Sequence, residues 1–156
     1  MDVGDVVPDF ELADQSGTVR SLSGLLKEGP VTLFFYPAAM TYGCTKESCH
    51  FRDLKDEFAA LGAQRIGISA DSVEKQKKFS DKHDFNYPLL SDPDRAVADI
   101  FGVRGGFGGL SPVKRATFVI DTDRRVIGVV RSELSMQKHA DRALEILRGR
   151  PGGLSR

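Results

Sequence analysis

The densest apolar run in the chain is Val31, Leu33, Phe34, Phe35 and Tyr36, and a run this continuous predicts a strand covered on both faces. Pro37 closes it. A short loop follows, and an amphipathic helix is predicted from Cys44 onward. At about 100° per residue, Phe51, Leu54, Phe58 and Leu61 fall on one stripe. Cys44 lies roughly 60° from the middle of that stripe, at the edge of the core, and Cys49 falls almost opposite, near Asp53 and Asp56.

The remaining pattern places elements on either side. Phe10-Glu11-Leu12 and Thr18-Val19-Arg20 flank Asp14-Gln15-Ser16-Gly17, which predicts an N-terminal hairpin. Residues 21–26 predict a helical turn ended by Gly29-Pro30. A strand follows over 63–69, then a helix to about His83. Asp71 or Ser72 would cap that helix, with Glu74 closing a capping box on Asp71. Residues 87–90 read as a short strand. Asp92-Pro93-Asp94 opens a short helix with proline at its first position. The glycine-rich residues 104–110 predict a flexible loop. Residues 115–121 and 125–131 form a hairpin around Asp121-Thr122-Asp123-Arg124. Ser135 caps a last helix with the stripe Met136, Ala140, Ala143, Leu144 and Leu147. Strands alternate with helices and end in a hairpin and a helix, so the fold class is α/β, a mixed sheet with helices on both faces.

The 156 residues suit one domain with a real core, and 150–156 read as a mobile tail. Formal net charge is zero, which gives no electrostatic case for nucleic acid or for acidic membranes. No apolar run is long enough to cross a bilayer. The start Met1-Asp2-Val3-Gly4-Asp5 does not read as a signal peptide, so a cytoplasmic location is expected. Two cysteines in a reducing compartment point to redox or metal chemistry more than to a structural staple.

A thiol at a helix start sits at the positive end of the helix dipole, beside free backbone N–H groups. That setting favours the thiolate, the nucleophilic form; the plain alternative for Cys44 is a small buried hydrophobe. Cys44, Cys49 and His50 offer three soft ligands, one short of a zinc tetrahedron, since His83 and His139 lie far off in sequence. No metal or cofactor is therefore expected. A Cys–His hydrolase lacks an orienting partner for any histidine, and all three histidines read as solvated. Gly106-x-Gly108 lacks the third glycine and the Lys-Ser/Thr pair of a phosphate cradle.

The stretch around Cys44 resembles the peroxiredoxins, and among them the bacterioferritin comigratory protein or Q-type subfamily. Pro37, Thr41 and Cys44 match the family motif Pro-x-x-x-Thr-x-x-Cys, and Cys49 matches the subfamily's second cysteine. Phe34-Phe35-Tyr36-Pro37, Phe51-Arg52-Asp53-Leu54 and Arg115-Ala116-Thr117-Phe118-Val119-Ile120-Asp121 extend the likeness over nearly the whole chain. One departure is Tyr42, where the subfamily usually has proline.

The resemblance implies a thioredoxin fold with an N-terminal β-hairpin extension. It implies a monomeric peroxidase that reduces hydrogen peroxide and organic hydroperoxides at Cys44, forms a Cys44–Cys49 disulfide, and is recycled by a dithiol protein such as thioredoxin. The alternative is a thiol redox sensor relaying oxidation to a partner protein. The Cys-x-x-Cys spacing of a disulfide reductase is absent. By the same resemblance Thr41 positions peroxide and thiolate, Arg115 lies beside the sulfur, and Pro37 shields the site. The plain readings are a loop threonine bonded to its own backbone, a surface arginine and a strand terminator. Lys114 is the lesser candidate for the cation. In a regular helix, α-carbons five residues apart lie roughly 8–9 Å from each other, beyond the limit of about 7 Å for a disulfide, so pairing Cys44 with Cys49 requires the helix start to open.

Overall fold

The computed structural model describes residues 1–106 and 111–150. In chain order the elements are β1 (Glu11–Ala13), β2 (Val19–Ser21), α1 (Leu22–Leu26), β3 (Val31–Phe35), α2 (Tyr42–Asp53), α3 (Lys55–Ala60), β4 (Gln64–Ser69), α4 (Val73–His83), β5 (Leu89–Ser91), α5 (Ala96–Phe101), β6 (Arg104–Gly106), β7 (Ser111–Val113), β8 (Ala116–Ile120), β9 (Val126–Arg131) and α6 (Met136–Arg148). The main sheet has the order β2-β1-β5-β4-β3-β8-β9. β3 runs parallel to β4 and antiparallel to β8, so the sheet is mixed. It carries the thioredoxin fold, and the β1–β2 hairpin extends one edge.

Every residue of β3 is buried, as its apolar run requires. Alternation along the strand sorts its side chains between two apolar clusters. Leu33 and Phe35 pack with Leu22, Leu25, Phe101 and Phe118. Phe34 and Tyr36 pack with Cys44, Phe51, Phe58, Phe79 and Leu144. The second cluster is therefore the floor on which α2, α3, α4 and α6 rest. Phe34 and Phe51 stack with ring centroids 4.0 Å apart, which ties the later half of α2 to the central strand.

Local chemistry corrects several boundaries. The helix expected from Cys44 to Leu61 starts at Tyr42 and is interrupted at Leu54, the hinge between α2 and α3. Ser72 caps α4 by accepting from the Lys75 N–H. Asp71 makes no capping box; its carboxylate accepts instead from the Ala39 N–H and the Ser69 hydroxyl. Pro93 lies in a turn, and α5 begins at Ala96, with Asp92 reaching forward to the N–H groups of Val97 and Ala98. The strand expected over 87–90 is displaced to Leu89–Ser91. Residues 104–106, part of the stretch the sequence predicts as a loop, pair with 111–113 as a two-stranded ribbon, since three-residue strands are too short to read as a period. Residues 107–110 and 151–156, and with them the Gly106-x-Gly108 reading and most of the expected tail, lie outside the described residues. Arg150, counted with that tail, donates to Asp121 at 2.9 Å.

Candidate active site

Three elements meet at Cys44. Pairing of Phe35 with Ala116 sets the register of β3 against β8. It brings Arg115, the residue before β8, to the end of β3 where Pro37 turns the chain away. α2 then starts over both strand ends. Thr41 is its N-cap, Tyr42 its first residue, and Cys44 lies in the first turn, where backbone N–H groups have no intrahelical acceptor.

The Cys44 side chain is buried, and Arg115 Nη2 donates to its Sγ at 3.2 Å. A Cβ at Gly43 would lie 3.4 Å from that nitrogen and from Met136, so a glycine before the cysteine leaves the guanidinium room. Arg115 is itself buried and held at two other points. Its Nη1 donates to Glu47 Oε1 at 2.6 Å, and its backbone N–H donates to the Glu133 carboxylate at 2.9 Å. Lys114 points to solvent, so the cation beside the sulfur is Arg115. A fixed, always protonated guanidinium can stabilise negative charge on the sulfur and on an oxygen leaving it.

Glu47 was not singled out from sequence. It follows Cys44 by three residues and precedes Phe51 by four, so it lies on the buried stripe, where an acid signals a buried cation nearby. Burial pushes its carboxyl up to about 8, against the pull of Arg115, and Glu133 adds to the rise. His139 was also misread as solvated. It is buried in α6, with Nε2 2.8 Å from the Ser132 carbonyl and Nδ1 2.8 Å from the Thr117 hydroxyl. The carbonyl can only accept, so the ring proton is on Nε2 and Nδ1 accepts from Thr117. Burial holds this imidazole down at about 4. The other histidines have partners too: His50 meets Asp141 at 2.8 Å, and His83 packs against Phe79 and Phe85.

The loop before the helix is tied at Ala39, whose N–H donates to Asp71 at 2.6 Å. Met40 beside it has φ of 71°, a left-handed conformation that costs a non-glycine residue about 1 kcal/mol. Pro37 is half-buried at the end of β3. Thr41 is exposed and donates to the Ala38 carbonyl at 2.8 Å; no hydrogen bond joins it to Cys44 among the described residues. Cys49 is half-buried on the same helix, and both cysteines are free thiols. Burial pushes the Cys49 thiol up. No three histidine, cysteine or acidic side chains come together for a metal ion among the described residues, and no described helix is long and apolar enough to cross a membrane.

The AhpC/TSA family model matches residues 3–129. Among solved structures, peroxidoxin BcpB from Mycobacterium tuberculosis superposes with a TM-score of 0.92 at 62% identity, covering 97% of this chain and 99% of that one. The bacterioferritin comigratory protein of Xanthomonas campestris, described by its alkyl peroxide reduction activity, has a TM-score of 0.81 at 31% identity over 89% of this chain and 90% of its own. The chloroplastic peroxiredoxin Q of Sedum lineare is 40% identical over 92% of this chain and 76% of its own length. A thiol under a buried guanidinium at a helix start, on this fold and with these relatives, makes the chain a member of the AhpC/TSA family and a peroxiredoxin of the Q or bacterioferritin comigratory protein type.

Proposed function

We propose that this peroxidase works through Cys44 as the peroxidatic nucleophile, with Cys49 as the resolving thiol and a dithiol protein such as thioredoxin as the reductant. The observation that carries the reading is the 3.2 Å contact between Arg115 Nη2 and Cys44 Sγ, both buried. The thiolate attacks one oxygen of a hydroperoxide. An S–O bond forms, the O–O bond breaks, and the leaving oxygen takes a proton and departs as water or an alcohol. Arg115 stabilises the charge as it moves from sulfur to the leaving oxygen. Thr41 supplies a hydroxyl to the peroxide by exchanging its bond to Ala38, and Pro37 shields the sulfur.

Cys49 then attacks the Cys44 sulfenic acid, forming the disulfide and releasing water. This step needs movement. Both residues lie in one unbroken helix, where side chains five apart turn away from each other. Burial also pushes the Cys49 thiol above its ordinary value, so opening the first turns of α2 both brings the sulfurs together and eases loss of the thiol proton. The dithiol reductant restores both cysteines. The protein acts in the cytoplasm as a monomer.

Peroxide turnover with thioredoxin supplied tests the assignment. Cys44→Ser should abolish it. Cys49→Ser should still consume one equivalent of peroxide but should not be recycled by thioredoxin. Wild-type turnover in Cys44→Ser would remove the nucleophile assignment, and undiminished thioredoxin-dependent turnover in Cys49→Ser would remove the resolving one.

A further inference from the structure

Among the described residues, Arg115 is the permanent cation that touches both Cys44 and Glu47, two buried acids. Its Nη2 reaches Cys44 Sγ at 3.2 Å, and its Nη1 reaches Glu47 Oε1 at 2.6 Å. The Glu47 side chain is wholly buried, and its second oxygen, Oε2, has no hydrogen-bond partner among the described residues. The nearest ring nitrogen, His139 Nδ1, is 3.7 Å from Oε2. That imidazole is neutral, with Nε2 committed to Ser132 and Nδ1 facing the Thr117 hydroxyl, so it brings no positive charge. The other ionisable groups facing Glu47 are Glu133, from the segment before α6, and Tyr87, whose hydroxyl donates to the Ser48 carbonyl. Neither is a cation. Two anions on one guanidinium would leave a net charge in a low-dielectric interior, the costly case.

We propose that the two acids ionise one at a time: Glu47 is a positioning residue that holds a proton while Cys44 is a thiolate, and becomes the carboxylate partner of Arg115 when Cys44 turns into a sulfenic acid. This rests on Cys44 being the nucleophile. A proton on Oε2 explains why no donor faces that oxygen, since it then carries the donor itself. It leaves Oε1 free to accept from Arg115. The upward pull of burial on this carboxyl agrees.

The step balances. Thiolate, carboxylic acid and hydroperoxide become sulfenic acid, carboxylate and alcohol. The S–O bond forms as the O–O bond breaks, and sulfur is oxidised by two electrons as the peroxide is reduced. The leaving alkoxide takes a proton from water, and Glu47 returns one to it. Arg115 faces one anion before the reaction and one after it.

Cys49→Ser protein, which stops at the sulfenic acid, tests the exchange by infrared difference spectroscopy on oxidation with one equivalent of hydrogen peroxide at neutral pH. Sulfenic acid is counted by dimedone trapping and thiolate by its ultraviolet absorbance. Oxidation should remove the thiolate absorbance and a protonated-carboxyl C=O band together. The band should be missing when Glu47→Gln is added, and that protein should take up one proton per sulfenic acid where the parent takes up none. Sulfenic acid formed at Cys44 without loss of a protonated-carboxyl band overturns the exchange and leaves the peroxidase assignment standing. If no sulfenic acid forms at Cys44, both fall. The band in the Glu47-containing protein decides the matter even if Glu47→Gln does not fold.

Discussion

The two ends of α2 differ in how they are held. The later end is clamped: Phe51 stacks on Phe34, and Arg65 Nη1 donates to the Phe51 and Arg52 carbonyls at 2.9 and 3.3 Å, filling acceptors that a helix end leaves open. Tyr87 donates to the Ser48 carbonyl at 2.7 Å. Among the described residues, the early end has no such hold on its backbone past Ala39; its ties are the Arg115 donations to the side chains of Cys44 and Glu47. Thr41 makes no side-chain cap, no acidic residue stands in the first turn, Tyr42 is 83% exposed, and Met40 before it is strained. A helix anchored at one end and loose at the other opens from the loose end. On the proposed mechanism the segment that moves is this early one, and it moves by giving up the Arg115 to Cys44 bond.

The largest effect is expected from breaking the clamp. Phe51→Ala should lower unfolding free energy by about 3–5 kcal/mol in denaturant titration, since it removes a ring stacked inside a packed cluster. A loss below about 1 kcal/mol would show that the clamp lies elsewhere. Next comes Arg115→Ala, which should slow the peroxide step by about 10²–10³-fold, the typical cost of losing one charge-stabilising donor. Stopped-flow oxidation of Cys44 measures it, and an unchanged second-order rate would remove Arg115 from the chemistry.

Two buried groups under the helix should tilt stability with pH in opposite senses. Glu47 holds its proton in the folded state up to about 8 against an ordinary value of 4.5, so its contribution is complete below the ordinary value and is lost as pH rises toward 8. His139 resists protonation down to about 4 against an ordinary value of 6.5, so its contribution is complete above 6.5 and is lost as pH falls toward 4. The two slopes oppose each other between 4.5 and 6.5, and above that window the decline belongs to Glu47. Denaturant titrations across pH should show that decline in the wild type and not in Glu47→Gln. The same decline in both proteins would contradict the assignment.

Hydrogen exchange separates the two ends directly. On oxidation to the disulfide, amides from Cys44 to His50 should lose protection and those beyond Leu54 should keep theirs. Uniform protection in protein whose mass shows the Cys44–Cys49 disulfide would be incompatible with an opening helix start. The smallest effect is expected at Tyr42. Thr41 has φ −84° and ψ 158°, suited to a following proline, and Tyr42 is the first helical residue, where a missing N–H costs no helix bond. Tyr42→Pro should therefore stabilise by about 0.4–1 kcal/mol through the unfolded chain, with turnover retained. Loss of both stability and activity would show that the loop shape excludes proline.

Local pattern determined much of this protein by itself. The apolar run of β3, the stripe Phe51, Phe58 and Leu61 and the turn at Asp121–Arg124 each express a preference of the backbone or a period of burial, and a preference of that kind is written in neighbouring residues. The proposal of Cys44 as nucleophile starts from a local feature too, a thiol at a helix start. What surrounds the sulfur is not local. Arg115 lies 71 residues away, and only the pairing of Phe35 with Ala116 places it there. Glu47 stands on the buried stripe, but the cation it needs is unidentified until that guanidinium arrives, and His139 reads as a surface histidine until α6 docks and Thr117 and Ser132 close on it. Asp71 prefers the Ala39 N–H to a capping box because the sheet carries the loop to within its reach. Charge and hydrogen-bond partners are settled by distances across the fold, and those distances exist only once the strands have chosen their register.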